Sequence, residues 1–179
     1  MQEGLALAEA SGNRHAIGWS LERLALLAQV AGSREEAHRL LMQGIAFFRE
    51  AGDSWSVMRL LNHLGSLNLE QGNMVEAEQV FCEALQAAMA DGIITYALDS
   101  LAAIALIRAR QGFNETALKI VLYILQQPSG APETKNRAEL LRTELEKQLS
   151  QHQIDAFRAS INSVTLEEIA RALMSGESE

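Results

Sequence analysis

Apolar residues recur along this chain with the spacing of amphipathic helices, and glycines divide the apolar stretches at regular intervals. The dividing glycines lie 20 residues apart and are Gly12, Gly32, Gly52, Gly72, Gly92 and Gly112. Glycine tolerates the left-handed backbone conformation in which many helices end. The pattern therefore predicts a pair of antiparallel helices every 40 residues, with a glycine turn closing each helix.

Four further sets of positions repeat with the same 40-residue period. They are Leu21, Leu61 and Leu101; Ala25, Gly65 and Ala105; Ala37, Ala77 and Ala117; and Leu41, Phe81 and Val121. The two sets of small residues let neighbouring helices approach closely, and the other two fill the space between them. One helix pair cannot bury both of its faces, so we expect the pairs to stack into a solenoid.

The period divides the chain into predicted segments. Residues 1–12 align with the end of an earlier repeat, because Gly4 corresponds to Gly44, and we expect further repeats before Met1. The later segments are repeat 1 at 13–51, repeat 2 at 52–91, repeat 3 at 92–128, C-terminal capping helices at 133–174 and a disordered tail at 175–179.

Local signals refine the helix boundaries. Ser33 with Glu36, and Thr165 with Glu168, have the spacing of capping boxes that open helices. Ser150 is expected to cap a short helix that follows it. In the segment after Pro132, one apolar stripe is predicted from Leu140, Leu141, Leu145 and Leu149, which makes that segment a capping helix or the first half of a fourth pair.

Repeat 2 closely resembles a tetratricopeptide repeat. The residues that carry the resemblance are, in order, Leu61, Leu64, Gly65, Asn68, Ala77, Phe81 and Ala84. The Trp, Tyr and Pro of the family pattern are missing, and the period of 40 exceeds the family's usual length of about 34 residues. The resemblance implies an all-α, right-handed helical-repeat solenoid with a C-terminal helical cap.

The C-terminal part of the chain carries a second resemblance. Residues 145–149, 156–159 and 166–173 look like the end of large bacterial signal-transduction ATPases and LuxR-type transcriptional regulators, in which helical repeats form the sensor. This resemblance implies a non-catalytic protein–protein interaction module or intramolecular regulatory module. Its partner would be a protein or peptide, or other domains of a longer parent chain.

In tetratricopeptide repeats the first helix of each pair lines a concave groove. The resemblance implies that this chain has a similar groove. The predicted partner or effector positions are Trp19, Glu22, Leu26, Arg59, Asn62, Ser66, Leu69, Asp99 and Leu106. One subclass of the family clamps a terminal carboxylate, but Glu22, Leu26, His63, Asp99 and Ala103 occupy the clamp positions here, so that clamp is absent. The alternative function is a small-molecule sensor, with a pocket around Trp19, Arg59 and Asn62.

Composition excludes several other classes of function. The net charge of −8 argues against a nucleic-acid surface. No apolar run reaches the roughly 18 residues of a membrane span, and no signal peptide is apparent. The single cysteine, Cys82, allows no internal disulfide and fits a cytoplasmic protein.

Catalytic and metal-binding motifs are also missing from the sequence. It contains no phosphate-binding Gly-x4-Gly-Lys-Ser/Thr loop, and His15, His38, His63 and His152 lack a paired ligand spacing. We therefore expect no enzyme activity, no metal and no cofactor. Residues 60–107 contain no Lys or Arg, and this negative region either attracts a basic segment or is a solvated face without a partner. A homodimer through the N-terminal repeat edge is a further possibility.

Overall fold

A computed structural model describes residue 10 and residues 12–175 of the chain, and every regular element in that part is helical. The helices are α1 (Arg14–Val30), α2 (Arg34–Ala51), α3 (Ser54–Glu70), α4 (Met74–Ala90), α5 (Ile94–Arg110), α6 (Asn114–Gln126), α7 (Pro132–Glu146), α8 (Gln151–Ser160) and α9 (Leu166–Ser175). A 3-10 turn, Ile161–Ser163, lies between α8 and α9. The predicted all-α class is thus confirmed for the described residues.

The predicted segments at the two ends of the chain can be compared with the structure only in part. Most of the predicted preceding repeat, 1–12, lies outside the described residues, as do residues 176–179 of the predicted disordered tail. Ser175 was assigned to that tail, but it is the last residue of α9.

The chain divides into two compact units, Met1–Val80 and Phe81–Glu179, and the division falls inside α4. In the first unit α2 packs against both α1 and α3. In the second unit α6 packs against α5, α7 and α8, and α7 also packs against α5. From α1 to α3 and from α5 to α7, helices that are neighbours in sequence therefore pack on one another.

The glycine turns form as the sequence predicts. All six glycines on the 20-residue grid have a positive φ, between 65° and 90°. At the first complete junction, the Gly32 amide donates to the Gln29 carbonyl at 3.0 Å and the Ser33 amide donates to the Ala28 carbonyl at 2.8 Å. The same pair of bonds recurs after Gly52, Gly72, Gly92 and Gly112. This pattern satisfies carbonyls that the helix end would otherwise leave without a partner.

The repeated apolar positions form the core. The small-residue positions, 25, 65 and 105 together with 37, 77 and 117, are all buried. The larger residues Leu41, Phe81 and Val121 are buried as well, and each is at most 2% exposed. The sequence columns are therefore the contact faces of the helices, as predicted from their spacing.

The three predicted helix caps have different outcomes. The Thr165 amide donates to Glu168 Oε2 at 2.8 Å, and the Glu168 amide donates to Thr165 Oγ1 at 3.2 Å, which confirms that capping box. Ser150 also caps its helix, in a reciprocal arrangement with Gln153. The capping box predicted at Ser33 was wrong. The Ser33 side chain makes no capping hydrogen bond, and the Glu36 carboxylate instead accepts from Arg39 Nε at 2.7 Å.

The apolar stripe predicted for α7 is partly wrong. Leu145 is buried as expected, but Leu140 is 72% exposed. The buried residues of α7 are Thr134, Ala138 and Leu145, which are spaced by four and seven residues and so share one helical face. Leu140 lies about 100° around the helix from the half-buried Leu141, because each residue turns an α-helix by that angle.

Replacing Thr134 with valine is expected to lower the free energy of unfolding by about 1 kcal/mol, the usual net contribution of one hydrogen bond. The buried Thr134 hydroxyl donates to the Asp99 carboxylate and so ties the start of α7 to α5. Urea unfolding followed by circular dichroism measures the loss. The control is Thr143→Val, because the exposed Thr143 hydroxyl donates to the Glu139 carbonyl of its own helix. Equal losses in the two variants would contradict the assigned role of Thr134.

Candidate functional site

A buried carboxylate lies among the predicted groove positions of the first unit. The Glu22 side chain on α1 is only 7% exposed, and its Oε2 atom lies 2.7 Å from Arg59 Nη1 on α3. Its Oε1 atom lies 3.4 Å from His63 Nε2 on the same helix. The structure thus brings the predicted residues Glu22 and Arg59 together and adds His63, which was not among the predicted groove positions.

The face of α3 that meets Glu22 follows from helical spacing. Trp55, Arg59 and His63 are four residues apart and therefore lie along one side of the helix. The Trp55 ring stacks on the Arg59 guanidinium, with 4.8 Å between the guanidinium carbon and the ring centroid. We call Glu22, Trp55, Arg59 and His63 the Glu22 cluster. A second polar pair joins the same two helices, since Gln29 Nε2 donates to Glu70 Oε2 at 2.8 Å.

Trp55, like His63, is a member of this cluster that was not predicted from the sequence. The first groove position that the resemblance implies on α3 is Arg59. Trp55 lies one helical turn before Arg59 and was therefore not included. The available signal was the spacing itself, because a tryptophan four residues before an arginine on a helix can stack on its guanidinium.

Burial and the neighbouring Glu22 carboxylate shift the pKa of His63 in opposite directions. Burial of the ring has the largest effect and lowers the pKa of His63 below its usual value. The neighbouring Glu22 carboxylate raises this pKa by charge and by hydrogen bonding, and the positive Arg59 lowers it. The net result favours the neutral imidazole in the folded protein.

The free energy of unfolding is therefore expected to fall as the pH drops below about 6.5, the usual pKa of histidine in an unfolded chain. The unfolded state binds its proton first in this range, because the pKa of His63 is lowered in the folded state. Urea unfolding between about pH 6.5 and 5.5, where carboxylates stay charged, measures the decline. His63→Gln should flatten it, and His152→Gln, at an exposed position on α8, is the control. An unchanged slope in His63→Gln would contradict the assignment.

The other predicted groove residues of the first unit are not part of the cluster. Asn62 Nδ2 donates to the Met58 carbonyl at 3.2 Å, and Ser66 Oγ donates to the Asn62 carbonyl at 2.9 Å, so both bond to their own helix. Trp19 is 58% exposed, whereas Leu26 and Leu69 are half-buried. These residues supply surface around the cluster rather than a polar pocket.

The two predicted groove residues of the second unit have different surroundings. Asp99 on α5 accepts from the Thr134 hydroxyl and lies 3.2 Å from Arg137 Nη2, both on α7. Asp99 therefore takes part in holding α7 on α5. Leu106 is half-buried on the same helix as Asp99.

Two of the surface depressions in the described part of the first unit are lined by residues other than the predicted groove positions. One, of about 290 Å³, is lined by His15, Phe47, Phe48, Glu50, Ala51 and Asp53. The other, of about 460 Å³, is lined by Arg34, Glu35, His38, Gln71 and Asn73. Asp53 in the first depression caps α3, since its carboxylate accepts from the Ser56 amide at 3.0 Å.

Residue 10 and residues 12–175 contain no group of three or more His, Cys, Asp or Glu side chains arranged to hold a metal ion. None of the described helices is both long enough and apolar enough to cross a membrane. Comparison with protein-family models and with curated proteins found no match to this chain.

Proposed function

We propose that this chain is a non-catalytic interaction or regulatory module, built as a right-handed tetratricopeptide-like solenoid with a C-terminal helical cap. It would act in the cytoplasm as the sensor end of a larger bacterial signalling ATPase or transcriptional regulator. Its partner would be a protein or peptide, another domain of the parent chain, or a second copy of the module. Binding would shift the parent between two conformations.

The repeated architecture supports the solenoid. Five consecutive helix ends share the same pair of glycine-turn hydrogen bonds, and the small-residue columns are buried. A fixed turn and a fixed contact face, repeated every 40 residues, are what stacked helix pairs require. Solenoids of this kind present extended surfaces to their partners.

One observation carries the binding role: the Glu22 cluster holds an arginine and a tryptophan in place, and a second, exposed tryptophan, Trp19, lies one helical turn from Glu22 on α1. Arg59 is fixed by Glu22 and by the Trp55 ring, so little side-chain entropy remains to be lost when a partner binds. Trp55 and Trp19 are 45% and 58% exposed. Tryptophan and arginine are the residue types that most often dominate protein-binding energy.

Selection from a random-peptide display library against the immobilised chain tests this role. Selected peptides should bind the wild type and lose affinity by about tenfold or more in Ser66→Arg, because a long side chain at that position of α3 obstructs the face that carries the cluster. The matched control is Ala46→Arg, an exposed position on α2. The proposal fails if no peptide is enriched, or if Ser66→Arg binds every selected peptide as well as Ala46→Arg does.

The alternative is a small-molecule sensor that uses the same face. The convergence of Glu22, Arg59 and His63 favours it, because charged groups that meet at one point can orient a small ligand. The bond from Asn62 to its own helix favours the peptide, since it diverts a side chain that the small-molecule pocket would use. A ligand that raises the melting temperature of the wild type and of Ala46→Arg, but not of Ser66→Arg, would identify the small-molecule sensor.

A further inference from the structure

One surface depression of the first unit is lined by polar side chains alone. Its volume is about 460 Å³, and its lining residues are Arg34, Glu35, His38, Gln71 and Asn73. The first three belong to the first turns of α2, and the last two lie in the connection between α3 and α4. We call this feature the Arg34 depression. Its volume is within the range of about 300–1,000 Å³ that small-molecule sites usually have.

The Arg34 guanidinium has no acidic partner on its own helix. An arginine on a helix surface usually pairs with an acidic residue three or four positions away. At those distances from Arg34 the chain has Val30, Ala31, Ala37 and His38. Within the described part of the chain, the Arg34 side chain makes no hydrogen bond and no ion pair. Its donors are therefore available to a ligand in the depression.

The Glu35 carboxylate is also left without a partner, because its neighbours take the nearest cation. Its favoured partner on the helix would be Arg39, four residues later. Arg39 Nε instead donates to Glu36 Oε2 at 2.7 Å, and Arg39 Nη1 donates to Gln43 Oε1 at 2.9 Å. Arg34 and Glu35 do not pair with each other, since consecutive residues point about 100° apart around a helix. The depression thus presents one positive and one negative group side by side.

The other lining residues supply neutral hydrogen-bonding groups. His38 lies one turn after Arg34 on the same side of α2. Asn73 Nδ2 donates to Gln71 Oε1 at 3.4 Å, which leaves the Gln71 amide nitrogen and the Asn73 carbonyl oxygen for a ligand. A carboxamide both donates and accepts hydrogen bonds. This wall therefore complements a polar group that does the same.

We propose that the Arg34 depression binds a free α-amino acid with a polar side chain. The α-carboxylate of this ligand pairs with the Arg34 guanidinium and accepts a hydrogen bond from His38, and its α-ammonium pairs with the Glu35 carboxylate. Its side chain forms hydrogen bonds with Gln71 and Asn73. Each charged or polar group of the lining then has a partner of complementary chemistry.

Charge balance favours a zwitterion over an ion of one sign. The lining contains one guanidinium and one carboxylate, so a dianion would be repelled by Glu35 and a polyamine by Arg34. A zwitterion adds no net charge and satisfies both groups. The inference goes beyond the proposed function, because it uses no residue of the Glu22 cluster and needs no protein partner.

The test uses L-glutamine as the probe, because its side-chain amide matches the amides of Gln71 and Asn73. It is titrated into the full chain while nitrogen–proton NMR spectra are recorded. We expect saturable shifts of the Gln71 and Asn73 side-chain amide resonances and of the Arg34 and His38 backbone amides. The dissociation constant should be on the order of 1 mM for a ligand of this size. L-leucine should bind about tenfold more weakly or worse, because it leaves both amides unpaired.

Two derivatives of the probe identify its charged contacts. N-acetyl-L-glutamine lacks the ammonium and the α-amide of L-glutamine lacks the carboxylate, so each should bind at least about fivefold more weakly. Acetylation should make no further difference in Glu35→Gln, and amidation should make none in Arg34→Gln, because the group that each change affects has already lost its partner. The control is Arg23→Gln at an exposed position of α1 outside the depression, which should bind like the wild type.

Several results would overturn the inference. They are the absence of a saturable shift with L-glutamine, and unchanged binding of L-glutamine by both Arg34→Gln and Glu35→Gln. Binding of N-acetyl-L-glutamine as tight as that of L-glutamine would assign the depression to the C-terminus of a peptide instead. Equally tight binding of the α-amide would assign it to a peptide N-terminus. All of these results leave the proposed function standing, since the display selection depends on the face that carries the Glu22 cluster.

Discussion

Replacing Phe48 with alanine is expected to lower the free energy of unfolding by about 3–5 kcal/mol, the usual cost of emptying an aromatic site in a core. Phe48 is 1% exposed, and its ring fills the space beside Gly18 on α1. Positions 58 and 98, one and two periods after Gly18, hold the buried residues Met58 and Leu98. In the first repeat the aromatic ring of α2 thus takes volume that a side chain on α1 could otherwise occupy.

The reverse change tests the same packing. Gly18→Met should destabilise the protein, because any Cβ at this position would overlap the Phe48 ring. The overlap costs about 1–3 kcal/mol and outweighs the gain of up to about 1 kcal/mol in helix propensity from losing a glycine. Combined with Phe48→Ala, Gly18→Met should restore stability, because it fills the cavity that the alanine leaves.

Guanidinium unfolding followed by tryptophan emission measures this cycle, since Trp19 and Trp55 both lie in the first unit. The control is Phe47→Ala on α2, a half-buried position in the same unit that should cost less than Phe48→Ala. Additive losses in the double variant would show that Gly18 and Phe48 do not share this space.

Replacing Glu22 with alanine is the second change with a large expected effect, a loss of about 3 kcal/mol in the free energy of unfolding. The Glu22 carboxylate is 7% exposed, and the Arg59 side chain is 22% exposed. Removing the carboxylate leaves the mostly buried guanidinium without its ion-pair partner. The cost of a buried charge without a partner exceeds the net contribution of the pair itself.

A double-mutant cycle isolates the pair. Glu22→Ala combined with Arg59→Ala should be more stable than the sum of the two single losses predicts, with a coupling energy of about 1–3 kcal/mol. Glu36→Ala is the comparison, because the pair of Glu36 and Arg39 is exposed and its removal should leave stability unchanged. A loss in Glu22→Ala no greater than that in Glu36→Ala would refute the importance assigned to the buried carboxylate.

The candidate site could be predicted from the sequence only in part. Glu22 and Arg59 were both identified as groove residues by the repeat register, but nothing in the register showed that they form an ion pair. Asn62 was identified by the same register, yet its side chain turns back to the Met58 carbonyl. A register fixes which side of a helix a residue occupies; it does not fix the rotamer or the partner.

The sequence by itself determined the helices, the glycine turns and the contact faces. Each of these depends on residues within about one turn of one another: a left-handed glycine satisfies carbonyls only a few positions earlier, and a helical face is defined by spacings of three and four. The sequence therefore predicted the glycine turns every 20 residues from Gly12 to Gly112. It also predicted the buried positions Ala37, Ala77 and Ala117.

Only the tertiary structure decided which side chains meet across helices. Glu22 and Arg59 are 37 residues apart, Gly18 and Phe48 are 30 apart, and Asp99 and Thr134 are 35 apart. Whether such residues touch depends on the offset and crossing angle of the helices, which the whole packed interface sets. A shift of one residue along either helix would separate Glu22 from Arg59 and leave the repeat pattern unchanged, so the pattern could not contain that contact.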